Sequence, residues 1–235
     1  MNFKKQLHGK LNENIISNIE SNKKLTHSER KTAESDLRKA IFEHSEVNEE
    51  KRLDIVVTTS RSPSSFLERF AKRFALIIGV YYRPRQSKTL EELSKEDCIV
   101  ITESKGRVSS MILSFRESPL FYFSIHNMFI DYTKNGKYSP NLNLILEFEK
   151  EVNFEKILAK NFQRIYTNKV SKSNRILGLV RNTESKDHIY CMRIMDPKLR
   201  VKFSADFKLY KVVEGDFENH GEVLFVSREF VNTKY

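Results

Sequence analysis

The residues of this 235-residue chain that are best suited to chemistry are an arginine and four serines within one short stretch. Arg61 is flanked by the hydroxyl groups of Ser60, Ser62, Ser64 and Ser65. If a helix begins here, its first backbone N–H groups are unpaired and carry a partial positive charge. Such a turn can bind a phosphate group. The serines could equally act only as helix caps, with Arg61 as a solvated surface charge.

The sequence on either side of this turn predicts the two elements that hold it. Residues 55–57 form a short β-branched apolar run, which is typical of a buried strand. Ser62 is a good N-cap, and Pro63 suits the first position of a helix. Apolar residues then recur every four positions, at Phe66, Phe70 and Phe74. Charged residues fall on the opposite face of this predicted helix, at Glu68, Arg69, Lys72 and Arg73.

Two further stretches are basic. Arg83 and Arg85 follow a pair of tyrosines, and Lys105 and Arg107 flank Gly106. Basic residues beside aromatic rings suit contact with phosphates together with base stacking. The tyrosines could also be half-buried strand residues with no role in binding.

The net charge of +10 is not spread evenly along the chain. Residues 1–50 contain nine basic and nine acidic residues, so the whole excess belongs to residues 51–235. A basic folded body suits a polyanionic partner such as RNA. A surface kept basic only for solubility would give the same count.

Motifs of catalysis and metal binding are missing from the sequence. Seven glycines leave no phosphate-binding glycine loop, and neither His-Glu-x-x-His, Cys-x-x-Cys nor Gly-x-Ser-x-Gly occurs. Cys98 and Cys191 lie far apart in apolar runs, which predicts reduced core thiols in an intracellular protein. No apolar run approaches the length of a membrane span, and no signal-peptide core is present. We therefore expect no enzyme activity, no metal and no cofactor.

Residues 1–50 are predicted to form a helical arm. Its first predicted helix has one apolar face, and its second has a narrower one. The candidate partner-binding residues on these two faces are Phe3, Leu7, Leu11, Ile15 and Ile19 in the first helix, and Leu37 and Ile41 in the second. Helices this polar are marginal alone. The arm either docks on a partner protein or RNA, or packs on its own domain.

The string Thr58-Thr59-Ser60-Arg61, followed after one residue by Pro63-Ser64-Ser65, resembles the opening motif of the Brix domain. Brix proteins are ribosome-biogenesis factors, and this form is most similar to the Imp-four-type branch, which belongs to the U3 small nucleolar ribonucleoprotein. The resemblance runs from about Leu53 to the end and is strongest over residues 55–74. It includes 102–106, 118–123 and 206–210. Phe66 departs from the family, which tends to have arginine there.

The resemblance implies a fold and a domain organisation. The fold would be α/β, a Brix domain of two similar halves related to an anticodon-binding fold, preceded by the helical arm. Residues 1–50 would be the arm and residues 51–235 the domain, with its first half at about 51–135 and its second at about 136–235. The periodicity of both halves, which alternates strand and helix patterns, is compatible with this expectation.

The resemblance also implies a function. The protein would be a non-catalytic RNA-binding assembly factor of the small-subunit processome in the nucleolus. It would bind U3 small nucleolar RNA and pre-rRNA, with Imp-three-type and Mpp-ten-type proteins as partners. The residues expected to contact RNA are Arg61, Ser62, Ser64, Ser65, Arg69, Lys72, Arg73, Arg83, Arg85, Lys105 and Arg107.

Two alternatives stay open at this point. The first is a Brix factor for the large ribosomal subunit, although the opening string favours the small-subunit branch. The second belongs to another class: an enzyme that uses the Ser-Arg-Ser-Pro-Ser-Ser turn to bind a nucleotide or a phosphomonoester.

Overall fold

The computed structural model describes residues 55–86, 89, 92–93, 96–133, 142–148, 152–166, 175–185 and 187–227. The predicted helical arm and its partner-binding residues, from Phe3 to Ile41, lie outside these ranges. Within them, no helix combines the length and apolarity needed to cross a membrane.

Strands outnumber helices in the described part of the chain. In chain order the elements are β1 (Ile55–Thr59), α1 (Ser65–Ile78), β2 (Tyr81–Tyr82), β3 (Asp97–Ser104), β4 (Arg107–Ser114), β5 (Leu120–Ile130), β6 (Asn143–Glu147), α2 (Asn153–Ile165), β7 (Ile176–Arg181), β8 (Ile189–Met195), β9 (Val201–Gly215) and β10 (His220–Val226).

All the described strands belong to one sheet, with the order β2-β1-β3-β4-β5-β9-β8-β7-β6 and with β10 beside β9. In the first half, β1 is parallel to β3, and β4 and β5 follow antiparallel. The second half repeats this scheme with β6, β7, β8 and β9. The two halves meet where β5 pairs antiparallel with β9. The predicted α/β class with two similar halves is therefore confirmed.

The helices occupy equivalent positions in the two halves. β6 begins 88 residues after β1 (143 against 55), and α2 begins 88 residues after α1 (153 against 65). The apolar spacing of each helix buries one face: Phe70 and Phe74 of α1, and Leu158 and Phe162 of α2, all lie in one core cluster. The same strand–helix unit is thus used twice.

The beginning of α1 differs from the sequence prediction. Ser64, not Ser62, is the N-cap of α1, and its Oγ accepts a hydrogen bond from the Leu67 backbone N–H. Ser62 instead has a left-handed φ of 51°, whereas an N-cap residue has an extended backbone, as Ser64 does. In α2, Asn153 is the first helical residue, and Val152 stands at the cap without a side-chain hydrogen bond.

Residues from both halves share the core on the helix-covered side of the sheet. Phe74 of α1 packs edge-on against Phe203 of β9, with ring centroids 4.9 Å apart. The Tyr166 hydroxyl, just beyond α2, donates to the Ile78 carbonyl at 3.0 Å. Arg175 donates to the neighbouring Ile77 carbonyl. The end of α1 is therefore held by groups from the second half.

Candidate nucleic-acid interface

Three basic loops follow the three parallel strands of the first half. β2 and β3 both pair parallel with β1, so the carboxyl ends of all three strands meet at one edge of the sheet. Ligands of open α/β sheets bind at this edge. The residues that follow the strands are here called the basic edge: Arg61 after β1, Arg83 and Arg85 after β2, and Lys105 and Arg107 around the turn after β3.

The members of the basic edge differ in exposure. Arg61, Lys105 and Arg107 are exposed to solvent. Arg83 is ion-paired with Glu96, and its side chain remains 46% exposed. Arg85 is buried. Burial lowers the pKa of the Arg85 guanidinium, and the positive charge of Arg61 lowers it further. Like charges have thus been brought together here, an arrangement that a bound polyanion would relieve.

The N-terminus of α1 already holds an anion supplied by the protein. The Glu103 carboxylate, at the end of β3, accepts from the Ser64 backbone N–H at 2.8 Å and from the Ser64 Oγ at 2.5 Å. These are groups that the sequence assigned to a phosphate. Ser62 and Ser65 lie beside them and are exposed. Any phosphate that approaches this turn must therefore share it with Glu103.

The basic side chains of α1 have partners within the protein. Arg73 donates from Nε to the Asp131 carbonyl at 2.6 Å and from Nη2 to the Thr133 carbonyl at 2.7 Å. The Arg69 guanidinium lies 4.7 Å from the centre of the Tyr132 ring. These contacts attach α1 to the segment that follows β5. Lys72 forms an ion pair with Glu68 at 2.7 Å. As RNA contacts, Arg69, Lys72 and Arg73 remain predictions.

Replacing Glu103 with alanine should lower the free energy of unfolding by about 1.5–3 kcal/mol, because α1 then loses a charged acceptor at its first turn. Urea denaturation followed by circular dichroism would measure the change. The control is the same substitution at Glu117, which is exposed in the turn before β5. Its replacement with alanine should change stability by less than about 0.5 kcal/mol. Equal effects of the two substitutions would contradict the role given to Glu103.

Two residues of this region were not among the predicted site residues. Glu103 reaches Ser64 across 39 positions of the chain, so no local sequence pattern indicates the contact. Tyr81 is 78% exposed on β2, the outermost strand beside β1. The pair Tyr81-Tyr82 before two arginines was a visible signal, although the sequence does not say which ring faces solvent. Among the described residues, no group of three or more His, Cys, Asp or Glu side chains is arranged to hold a metal ion.

Comparison with known proteins shows sequence similarity to two fungal proteins of the same name. The U3 small nucleolar ribonucleoprotein protein IMP4 of Yarrowia lipolytica is 35% identical over 83 residues, which cover 32% of this chain and 29% of that protein. Its Schizosaccharomyces pombe counterpart is 28% identical over 127 residues, or 50% of this chain and 42% of that protein. The chain resembles the Imp4 proteins of the Brix family.

The similarity to the Imp4-type relatives is partial. The matched stretches span less than half the length of either fungal protein. No family model matches the chain. Among solved structures, the crystal structure of Mil, an archaeal Imp4-like protein, aligns with a TM-score of 0.43 at 18% identity, over 66% of this chain and 99% of Mil.

Proposed function

We propose that this chain is a non-catalytic assembly factor of the small-subunit processome that binds RNA within the U3 small nucleolar ribonucleoprotein. It would act in pre-rRNA processing and in the biogenesis of the small ribosomal subunit, in the nucleolus. The observation that carries this proposal is the similarity to fungal proteins named as U3 small nucleolar ribonucleoprotein protein IMP4.

The basic edge supports the RNA-binding part of the proposal. Five basic residues follow the carboxyl ends of the parallel strands β1, β2 and β3, an edge where ligands of α/β sheets commonly bind, and the excess positive charge of the chain lies in residues 51–235. The exposed members, Arg61, Lys105 and Arg107, would contact the phosphate backbone first. Ser62 and Ser65 would donate hydrogen bonds to the phosphates. Arg83, which is paired with Glu96, and Arg85, which is buried, would attract the RNA through their positive charge without direct contact.

The partners follow from the same proposal. U3 small nucleolar RNA and pre-rRNA would be the RNA ligands, and the Imp-three-type and Mpp-ten-type proteins would be the protein partners. The arm, residues 1–50, would make the protein contacts, and residues 51–235 would form the RNA-binding domain. Crosslinking in cells followed by sequencing of the attached RNA tests these assignments together. Reads on U3 and the small-subunit precursor are expected. Reads on the large-subunit precursor, or no enriched RNA, would contradict the proposal.

Removing two charges of the basic edge should weaken RNA binding about ten-fold, or about 1.4 kcal/mol. In the double variant Arg61→Ala/Arg107→Ala, each lost phosphate contact should also reduce the salt dependence. The slope of log Kobs against log salt should become shallower by up to about 1.4 for a single strand. Filter binding of a U3 RNA fragment at several salt concentrations measures both quantities.

The matched control removes the same charge elsewhere. Lys156 on α2 and Lys198 in the turn between β8 and β9 are both exposed and belong to the second half. The variant Lys156→Ala/Lys198→Ala should leave the slope close to its original value. If both double variants weaken binding equally, the attraction comes from the overall charge, and the basic edge is not the contact surface.

A further inference from the structure

Tyr81 is exposed in a way that the fold does not require. It lies on β2, at the edge of the sheet, with 78% of its surface open to solvent. Its neighbour Tyr82 faces the helix side, where it packs against the core and where the Lys72 ammonium lies 5.6 Å from the ring centre. Successive side chains of a strand point to opposite faces. The Tyr81 ring therefore lies on the side of the sheet away from α1.

One exposed cationic residue lies close to Tyr81 in the chain. Arg83 follows Tyr81 two positions later, about 6.6 Å further along the chain at the rise of a strand. The Arg83 backbone N–H donates to the Val57 carbonyl at 2.9 Å, which fixes this short segment beside β1. Arg83 keeps nearly half of its side chain exposed even though it pairs with Glu96. An exposed aromatic ring and an exposed arginine so close in the chain offer a base and its phosphate neighbouring contacts.

We infer that Tyr81 stacks on an unpaired RNA base, so that the RNA at the basic edge is single-stranded where it meets β2. The inference rests on the proposed RNA-binding function and adds the class of ligand to it. The faces of bases in a duplex are already stacked on their neighbours, and a protein ring can stack only on a base that is splayed out. Sequence-tolerant stacking of this kind is typical of proteins that bind single strands.

A protein strand is a less suitable occupant of the same edge. β2 is only two residues long, so its outer side offers too short a ladder for a partner strand to add to the sheet. The loop that follows it is basic, with Arg83 and Arg85 flanking a proline. Charge complementarity therefore favours a polyanion.

The first test compares two forms of the same RNA. Tyr81→Ala should weaken binding of a single-stranded U3 oligonucleotide by about ten-fold, whereas binding of the fully paired duplex of that oligonucleotide should change less than two-fold. Tyr81→Phe should retain single-strand binding, because stacking needs the ring and not the hydroxyl. Phe129→Ala is the matched control: Phe129 is 45% exposed on β5, outside the basic edge, and its loss should leave both affinities unchanged.

The second test uses the absence of tryptophan from the chain. In the variant Tyr81→Trp the 235-residue chain has one indole, whose fluorescence a stacked base should quench when the single strand is added. The variant Phe129→Trp carries its indole on β5 and should show no comparable quenching. Both proteins can be titrated with the oligonucleotide and with its duplex.

The outcomes separate this inference from the proposed function. An unchanged single-strand affinity in Tyr81→Ala, with no quenching in Tyr81→Trp, overturns the inference. If Arg61→Ala/Arg107→Ala still weakens binding in that case, RNA binding at the basic edge stands. If the unmodified chain binds neither form of the RNA, the proposed function itself fails. If Tyr81→Ala no longer binds a processome protein while its RNA affinity is unchanged, the ring belongs to a protein interface, and the inference is also overturned.

Discussion

Replacing Glu155 with alanine should lower the free energy of unfolding by about 3–5 kcal/mol, because it leaves buried hydrogen-bonding groups without their anion. Glu155 lies in the first turn of α2 and is completely buried. One carboxylate oxygen, Oε1, accepts from three side chains: the Tyr190 hydroxyl at 2.8 Å, Arg181 Nη1 at 3.0 Å and His188 Nδ1 at 3.1 Å.

This cluster joins four elements of the second half. Arg181 ends β7, Tyr190 belongs to β8, and His188 packs edge-on against Phe154 of α2 and Phe225 of β10. Burial and the neighbouring carboxylate raise the pKa of the Tyr190 hydroxyl, so this group stays a hydrogen-bond donor. Removing Glu155 would therefore loosen the contact of α2 with β7, β8 and β10 together.

Graded substitutions distinguish the carboxylate from simple loss of volume. Glu155→Gln keeps the shape but weakens the charge-assisted bonds and should cost less than Glu155→Ala. Tyr190→Phe removes one hydroxyl and should cost about 1 kcal/mol. Glu222→Ala, at an exposed position of β10, should cost less than about 0.5 kcal/mol. Urea denaturation measures all four. A loss below 1 kcal/mol in Glu155→Ala would contradict a structural role for the cluster.

The sequence was sufficient to predict those elements in which apolar residues recur at a regular local spacing. A β-branched run predicted β1, and phenylalanines at every fourth position predicted α1, because burial of one face imposes those spacings. The sequence did not predict the full length of β5 and β9, which have 11 and 15 residues. These strands pair with each other across the middle of the sheet, and the register shifts between Tyr122 and Phe123 and between His126 and Phe129 interrupt the regular alternation of β5.

The candidate site could be predicted only in part, because some of its contacts join segments that are far apart in the sequence. The composition of each loop indicated basic residues, and the parallel strand pattern places such loops together at one edge. The sequence could not indicate that Glu103 caps α1, or that Arg73 binds two carbonyl groups 58 and 60 positions away. Such contacts depend on how distant segments are brought together by the sheet. Charge alone therefore overstates how many basic residues are available to a ligand.

The second large effect is expected at Phe74, where the two halves share one core. Phe74→Ala should lower the free energy of unfolding by about 3–5 kcal/mol, since the ring is almost fully buried between Phe70 of α1 and Phe203 of β9. Phe66→Ala is a matched control on the same helix, because Phe66 is 44% exposed and its loss should cost less than about 1 kcal/mol.

The same variant tests whether the halves unfold together. Phe74, Ile77 and Ile78 of α1 all contact residues of the second half, so a defect in this helix should destabilise both units equally. Native-state hydrogen exchange should then show loss of protection in β3 and in β8 by similar free energies. If only the amides of β3 lose protection in Phe74→Ala, the halves are separate folding units, and the contacts between them do not couple their stability.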